Sequence, residues 1–256
     1  MQMSRFALST AAVVLAAGAL SACTGGSHAP AVGGPPGELV KAADAMDRIG
    51  NGRLRFTAAE GDKAPATLNG YVRWRGRPSF ETTEGDSTMR LVHGGMYVRG
   101  LGLDRWQRLD HFTSRPDEPP TPIDLATLSM ELASSPAAEL RRAAGHGTVT
   151  AEGREDLGGV PVTHYRSVSP VPAMSGNAER RLVGGPDYTP PAGSACTADY
   201  WVNDRHELVK LTLALSAGQD RAQATAEYSE PGAAPDIPVP APAEVEDPWA
   251  TVSPSP

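Results

Sequence analysis

The chain has 256 residues, and 23 Lys+Arg against 30 Asp+Glu give it a formal net charge of −7. That balance excludes a nucleic-acid binder, which needs a basic footprint on the phosphates, and it argues against a folded body held flat on anionic lipid by charge alone. The length allows one sizeable core or at most two small ones, and two cysteines, Cys23 and Cys196, are too few for a disulfide framework.

The first element is a leader over residues 1–22. Arg5 gives it a positive start, residues 6–20 are almost wholly apolar or small, and Ser21 and Ala22 are small residues before Cys23. This is the pattern of a secretory signal peptide. The apolar run is shorter than the ~20 residues a spanning helix requires. The four residues Leu20-Ser21-Ala22-Cys23 resemble the lipobox of bacterial lipoproteins. That resemblance implies a diacylglyceryl thioether on Cys23, cleavage just before it, and further acylation, for example by palmitate. Two acyl chains anchor stably, since each buried methylene contributes about 0.8 kcal/mol. A lipidated Cys23 leaves Cys196 without a partner in the chain. A spare, part-buried thiol and an intermolecular bridge both remain open for it.

Residues 23–35 contain Gly, Ser, Pro and Ala without periodicity and read as a lipidated tether; His28 is a solvated residue within it. Residues 36–49 form an amphipathic helix, with Leu39, Ala43, Met46 and Ile49 near helical spacing and Gly50-Asn51-Gly52 as its stop. Alternating apolar and polar residues then predict strands over 53–58, 67–75, 79–84, 88–92, 96–99 and 106–109. Thr121-Pro122-Ile123-Asp124 has capping-box spacing and opens a helix carrying Leu125, Leu128 and Leu132. A second helix spans 136–144, with Gly145 and Gly147 as stops. Strands resume over 148–151, 160–168, 198–203, 207–216 and 222–228. Residues 170–194 lack a period and read as an irregular insertion and possible lid, residues 238–242 as an extended Pro-rich segment, and 246–256 as a disordered tail.

Antiparallel strands interrupted by one helical segment and preceded by another make an α+β fold, with a single domain over 36–245. Such a sheet must hide its apolar face, and helices can cover the concave side of a curled one. The inward candidates are Leu54, Phe56, Leu68, Val72, Met89, Leu91, Val209, Leu211, Leu213 and Leu215. Alternation alone fits a filled core and a hollow one equally.

At this point a family resemblance is visible. The stretch Gly158-Gly159-Val160-Pro161-Val162-Thr163-His164-Tyr165 resembles a strand pair of actinobacterial lipoproteins. So does Ala198-Asp199-Tyr200-Trp201-Val202-Asn203-Asp204 with the alternating strand after it. The first helix, Tyr97 to Gly100 and Trp106 fit the same group. It is the LppX/LprG-type group, similar in fold to the carrier LolA and the sensor RseB. Insertion 170–194, with Cys196 after it, departs from the pattern. The resemblance implies a curled antiparallel half-barrel with helices over its concave face, and a cavity there for acyl chains at the ten inward positions. A 16-carbon chain leaving a bilayer needs roughly 12 kcal/mol of replacement burial.

The expected function is therefore a lipoprotein anchored to the outer face of the cytoplasmic membrane. It would bind a lipid or another apolar ligand, with lipid transfer across the envelope as one use. The alternative is an envelope sensor acting through a membrane-protein partner. No cofactor, metal or catalysis is expected. The six His residues show no metal-ligand spacing, there is no G-x-S-x-G elbow, Gly145-His146-Gly147 is a helix stop, and His164 has a structural, hydrogen-bonded role. Glu152 and Glu155 read as solvated turn residues.

Overall fold

A computed structural model describes residues 33–60, 64–92, 95–100, 102–108, 129–130, 132–170, 192–218 and 220–246. The expected leader, the lipidation site at Cys23, the start of the helix opened at Thr121, the body of the 170–194 insertion and the tail beyond Glu246 lie outside them.

Helix α1 is Gly34–Ile49. The strands that follow are β1 (Asn51–Glu60), β2 (Ala66–Arg73), β3 (Ser79–Glu84), β4 (Ser87–Val92), β5 (Gly95–Gly100) and β6 (Leu103–Arg108). Residues 129–130 and 132–134 are helical. Helix α2 is Pro136–His146, followed by β7 (Thr148–Leu157), β8 (Val160–Pro170), β9 (Ala195–Asn203), β10 (Leu208–Ala217), β11 (Asp220–Ser229) and the two-residue β12 (Val245–Glu246). The strands form one unclosed twelve-stranded sheet in the order β12-β6-β5-β4-β3-β2-β1-β11-β10-β9-β8-β7. Every pairing is antiparallel except that of β12 with β6. This is the expected α+β half-barrel, with α1 and α2 packed on its concave side.

Several expected boundaries change. Helix α1 starts at Gly34, inside the expected tether. Gly145 is helical, and α2 ends at His146 with Gly147 as its cap. Strand β7 runs on to Leu157, so Glu152 and Glu155 are strand residues. Glu152 accepts a hydrogen bond from Thr150 (2.6 Å) and Glu155 accepts one from the Trp201 indole. Glu246, expected in the tail, pairs with Gln107.

Backbone contacts explain why α1 is fixed where it is. Gly50 takes the left-handed conformation (φ 78°) that ends the helix and lets the chain reverse into β1. The last carbonyls of a helix lack internal partners, and side chains after β2 supply them. Trp74 Nε1 donates to Met46 O at 2.6 Å, and Arg75 Nη2 donates to Asp47 O and Arg48 O at 2.8 and 2.6 Å. Arg141 of α2 reaches Asp44 and Asp47 of α1 at 2.8 and 2.6 Å, which holds the two helices side by side.

The Pro-rich segment, which shows no sequence period, is a strap over the convex face. Gly232 N and Ala234 N donate to the carbonyl and side chain of Asn51, both at 2.9 Å. Arg73 and Arg90 donate to Pro235 O and Pro238 O, and Arg105 to Ala243 O. Ile237 is buried with Val92, Tyr97 and Trp106 in a second, outer cluster. The Trp106 ring lies between the guanidiniums of Arg90 and Arg99, 4.6 and 4.7 Å from its centroid. The strap ends as β12 against β6, so one edge of the sheet is covered.

Gly70 is needed for close approach between β2 and β3. A Cβ there would lie 1.9 Å from Glu81 O. Gly70→Ala is expected to destabilise the fold by about 1–3 kcal/mol, the range for overpacking, read as a lowered denaturant midpoint at unchanged slope.

Candidate functional site

Strand register sorts the inner face into rows, because residues directly opposite one another share a face. One row runs Tyr165, Tyr200, Leu211, Ala226, Phe56, Leu68 across β8, β9, β10, β11, β1 and β2. The next runs Tyr228, Leu54, Gly70, Thr82, Met89, Val98, Gln107 from β11 to β6. A third runs Gly52, Val72, Phe80, Leu91, Met96.

These rows divide the concave face in two. Leu54, Phe56, Val72, Leu91, Leu211, Leu213 and Leu215 are buried in one cluster with Leu39, Ala43 and Met46 of α1 and Leu140 and Ala143 of α2. Seven of the ten expected inward residues are therefore close-packed against helices or neighbouring strands. Leu68 and Met89 are only half-buried at the margin of that cluster, together with Met96, and Val98 beside Met89 is also half-buried. The half-open part of the concavity is thus the inner face of β2, β4 and β5. Its apolar positions are Leu68, Met89, Met96 and Val98, the last two of which alternation had not singled out. Gly70 adds no side chain in this stretch, and Thr82 spends its hydroxyl on Asn69 O at 2.7 Å.

The β10 bulge sets Val209 apart from the other three inward residues of its strand. A register shift between Leu208 and Lys210 places Leu208, 1 % exposed, in the core. Val209 is half-buried and lines a shallow crevice with Met46, Ile49, Trp74 and Tyr228, at the C-terminal end of α1. Strict period-2 reading through a bulge passes over Leu208, the residue that is fully buried there.

Within the packed half lies a polar cluster that sequence reading missed. Glu139 and Arg142 of α2 are buried, and they pair in bidentate fashion, Nε to Oε2 at 2.7 Å and Nη2 to Oε1 at 2.6 Å. Tyr200 donates its hydroxyl to Glu139 Oε1 (2.7 Å), and Arg142 Nη1 donates to Ser169 Oγ (2.8 Å). Burial works against the Arg142 charge, but hydrogen bonds to Glu139 outweigh it and hold the guanidinium protonated. Burial and the Glu139 charge both push the Tyr200 hydroxyl up. An i, i+3 charge pair on a helix ordinarily signals a solvated face. The inward signal was the flanking Pro136, Ala137, Leu140 and Ala143, all buried.

Cys196 faces this cluster. It is a free thiol, fully buried rather than part-buried, and burial together with Glu139 pushes it up to about 12. A protonated, enclosed thiol is a poor nucleophile. The chain is therefore expected to run as a monomer on non-reducing gels. Cys196 should react with a maleimide only once denaturant is added; rapid labelling of the folded protein would refute this burial.

The expected structural role of His164 is met on the convex face. Its ring stacks on Trp201 at 4.6 Å between centroids, and Nε2 lies 2.8 Å from Asp199 Oδ1. Arg166 also donates to Asp199, and Lys210 covers Trp201. Among the described residues, no group of His, Cys, Asp and Glu is placed to hold a metal ion, and no helix is long and apolar enough to cross a membrane.

No protein-family model matches the chain, and no curated protein matches it. Solved structures do. The chain is similar to the lipoprotein LppX of Mycobacterium tuberculosis at 14 % identity, covering 79 % of this chain and 97 % of that one, with a TM-score of 0.47. It is similar to LprF of Mycobacterium bovis at 13 % identity, covering 82 % and 100 %, with a TM-score of 0.45. The MucA/MucB complex of Pseudomonas aeruginosa gives 15 % identity, 79 % and 58 % coverage, and a TM-score of 0.33.

Proposed function

We propose that this chain is a membrane-anchored lipoprotein that binds a lipid or another apolar ligand on the concave face of β2, β4 and β5, and that it is a binding protein rather than an enzyme. The observation that carries the reading is the half-buried state of Leu68, Met89, Met96 and Val98 beside a closed core. Apolar side chains that line a concavity without filling it offer replacement burial to an alkyl chain leaving a bilayer. The lipobox-like Leu20-Ser21-Ala22-Cys23 supports anchoring at the outer face of the cytoplasmic membrane, and carriage of lipid across the envelope is the use that anchor and concavity fit together.

The sensor reading would be favoured by a sheet edge ready to accept a partner strand. Among the described strands, β7 pairs with β8 alone. It carries Glu152, Arg154, Glu155 and Asp156, and its register shifts at Gly153. Charges and a bulge are devices that discourage strand addition, so the lipid reading stands first.

Native mass spectrometry of the full chain released from membranes tests the binding. Non-covalent adducts of lipid mass, beyond any covalent acyl groups, are expected. A chain that carries none and takes none up from vesicles would overturn the reading. Fatty-acid labelling tests the anchor separately, because Cys23→Ala removes the acceptor thiol and should remove the label.

A further inference from the structure

We infer that Met89 and Met96 determine the ligand range of the concave site, making it accept uncharged apolar chains of differing shape rather than one chain geometry. This inference rests on the lipid-binding reading and adds the chemistry of what is bound.

Two observations carry it. The first is charge. The inner positions from Tyr228 to Gln107 and from Gly52 to Met96 include no charged residue, as the strand pairings place them. These two rows, which hold both methionines, give an ionised group no partner, and burying an unpaired charge is strongly unfavourable. The ligand portion seated here is therefore neutral.

The second is side-chain type. Met89 lies opposite Val98 and Met96 opposite Leu91, so the two methionines are diagonal neighbours on adjacent strands. Such neighbours are roughly 7–8 Å apart, within reach of long side chains. Both are half-buried, whereas Leu91 and Phe80, the β4 and β3 residues beside them, are 2 % and 0 % exposed. A methionine is unbranched, has three rotatable bonds and carries a polarizable sulfur, so it refits its neighbours as their shape changes. Rigid residues thus form the closed floor, and adaptable ones stand at the open part. A floor built for one ligand shape would place branched residues with fixed rotamers there instead.

The test uses the full chain and a neutral fluorescent dye. The dye is displaced by the methyl esters of hexadecanoic acid (straight), a methyl-branched hexadecanoic acid, and oleic acid (bent). Wild type is expected to bind the three within about fivefold of one another, as an adaptable wall should. In Met89→Ile/Met96→Ile, a nearly volume-conserving change to stiff side chains, the branched and bent esters are expected to weaken by roughly tenfold or more while the straight ester holds. Met89→Leu/Met96→Leu is the milder companion should the first variant fold poorly, with the same order of effect expected. Variants indistinguishable from wild type on all three esters would overturn the inference. So would a wild type that itself separates the esters by roughly tenfold, against the adaptability expected of methionine. Displacement by none of them would overturn the binding reading beneath it.

Discussion

Glu139→Gln is expected to destabilise the fold by about 3–5 kcal/mol, the cost of removing one partner from a buried ion pair. The amide keeps the shape of the carboxylate but leaves Arg142 charged, only 6 % exposed and without a counter-ion. Two of its donors, Nε and Nη2, would face an amide whose single oxygen accepts from one of them while its NH2 group, itself a donor, is turned against the other. The Tyr200 hydroxyl loses a charged acceptor as well. The reverse change, Arg142→Met, leaves a buried carboxylate with Tyr200 alone and is expected to cost a similar amount. The double variant Glu139→Leu/Arg142→Met is expected to recover most of the loss, because apolar replacement of a whole buried pair is often neutral or stabilising. Chemical denaturation of the three variants gives the comparison. If Glu139→Gln proves nearly as stable as wild type, the pair is not closed off from water as the structure has it. If the double variant is as unstable as the singles, the pair is needed for packing rather than for mutual compensation. The cluster joins α2 to β8 and β9 through Ser169 and Tyr200, so the singles should also loosen α2 first, seen as faster amide exchange there than in β10.

The sheet was legible in the sequence because period-2 alternation is a local property. Leu54 and Phe56, Met89 and Leu91, and Leu211 to Leu215 need only their own strand to declare a face. Helix α1 was legible for the same reason, through Leu39, Ala43 and Met46 and the glycine after them. What alternation cannot supply is the register between strands, and register decides which inward residue sits under a helix. Leu68 and Phe56 occupy the same row, yet Phe56 is buried within the core cluster and Leu68 is half-buried at its margin. The bulge at Leu208 is hidden likewise, since inserting one residue changes parity without changing composition. The strap was opaque because Pro-rich backbone has no side-chain period; its partners, the guanidiniums of Arg73, Arg90 and Arg105, are distant in sequence. Glu139 and Arg142 were opaque because a charge pair at helical spacing looks the same in water and in a core.

The division of the concave face predicts opposite behaviour for two leucines in one row. Leu211 is fully buried and joins the helices' cluster, so Leu211→Ala is expected to cost about 2–5 kcal/mol, the sum of lost transfer energy and the cavity left behind. Leu68 packs at the margin of that cluster and is only half-buried, so part of its surface is open. Leu68→Trp is expected to extend into that open side with little change in stability, where a close-packed site would lose about 1–3 kcal/mol, and to reduce bound lipid in the same preparation. Thermal melts and native mass spectra of the two variants form one experiment. A strongly destabilised Leu68→Trp would show that β2 is as tightly covered as β10, which would remove the half-open concavity. A stable Leu68→Trp with its full complement of lipid would move the site away from β2. A Leu211→Ala that melts with wild type would mean that β10 is not under the helices, and the closed half of the face would then be a second candidate for the ligand.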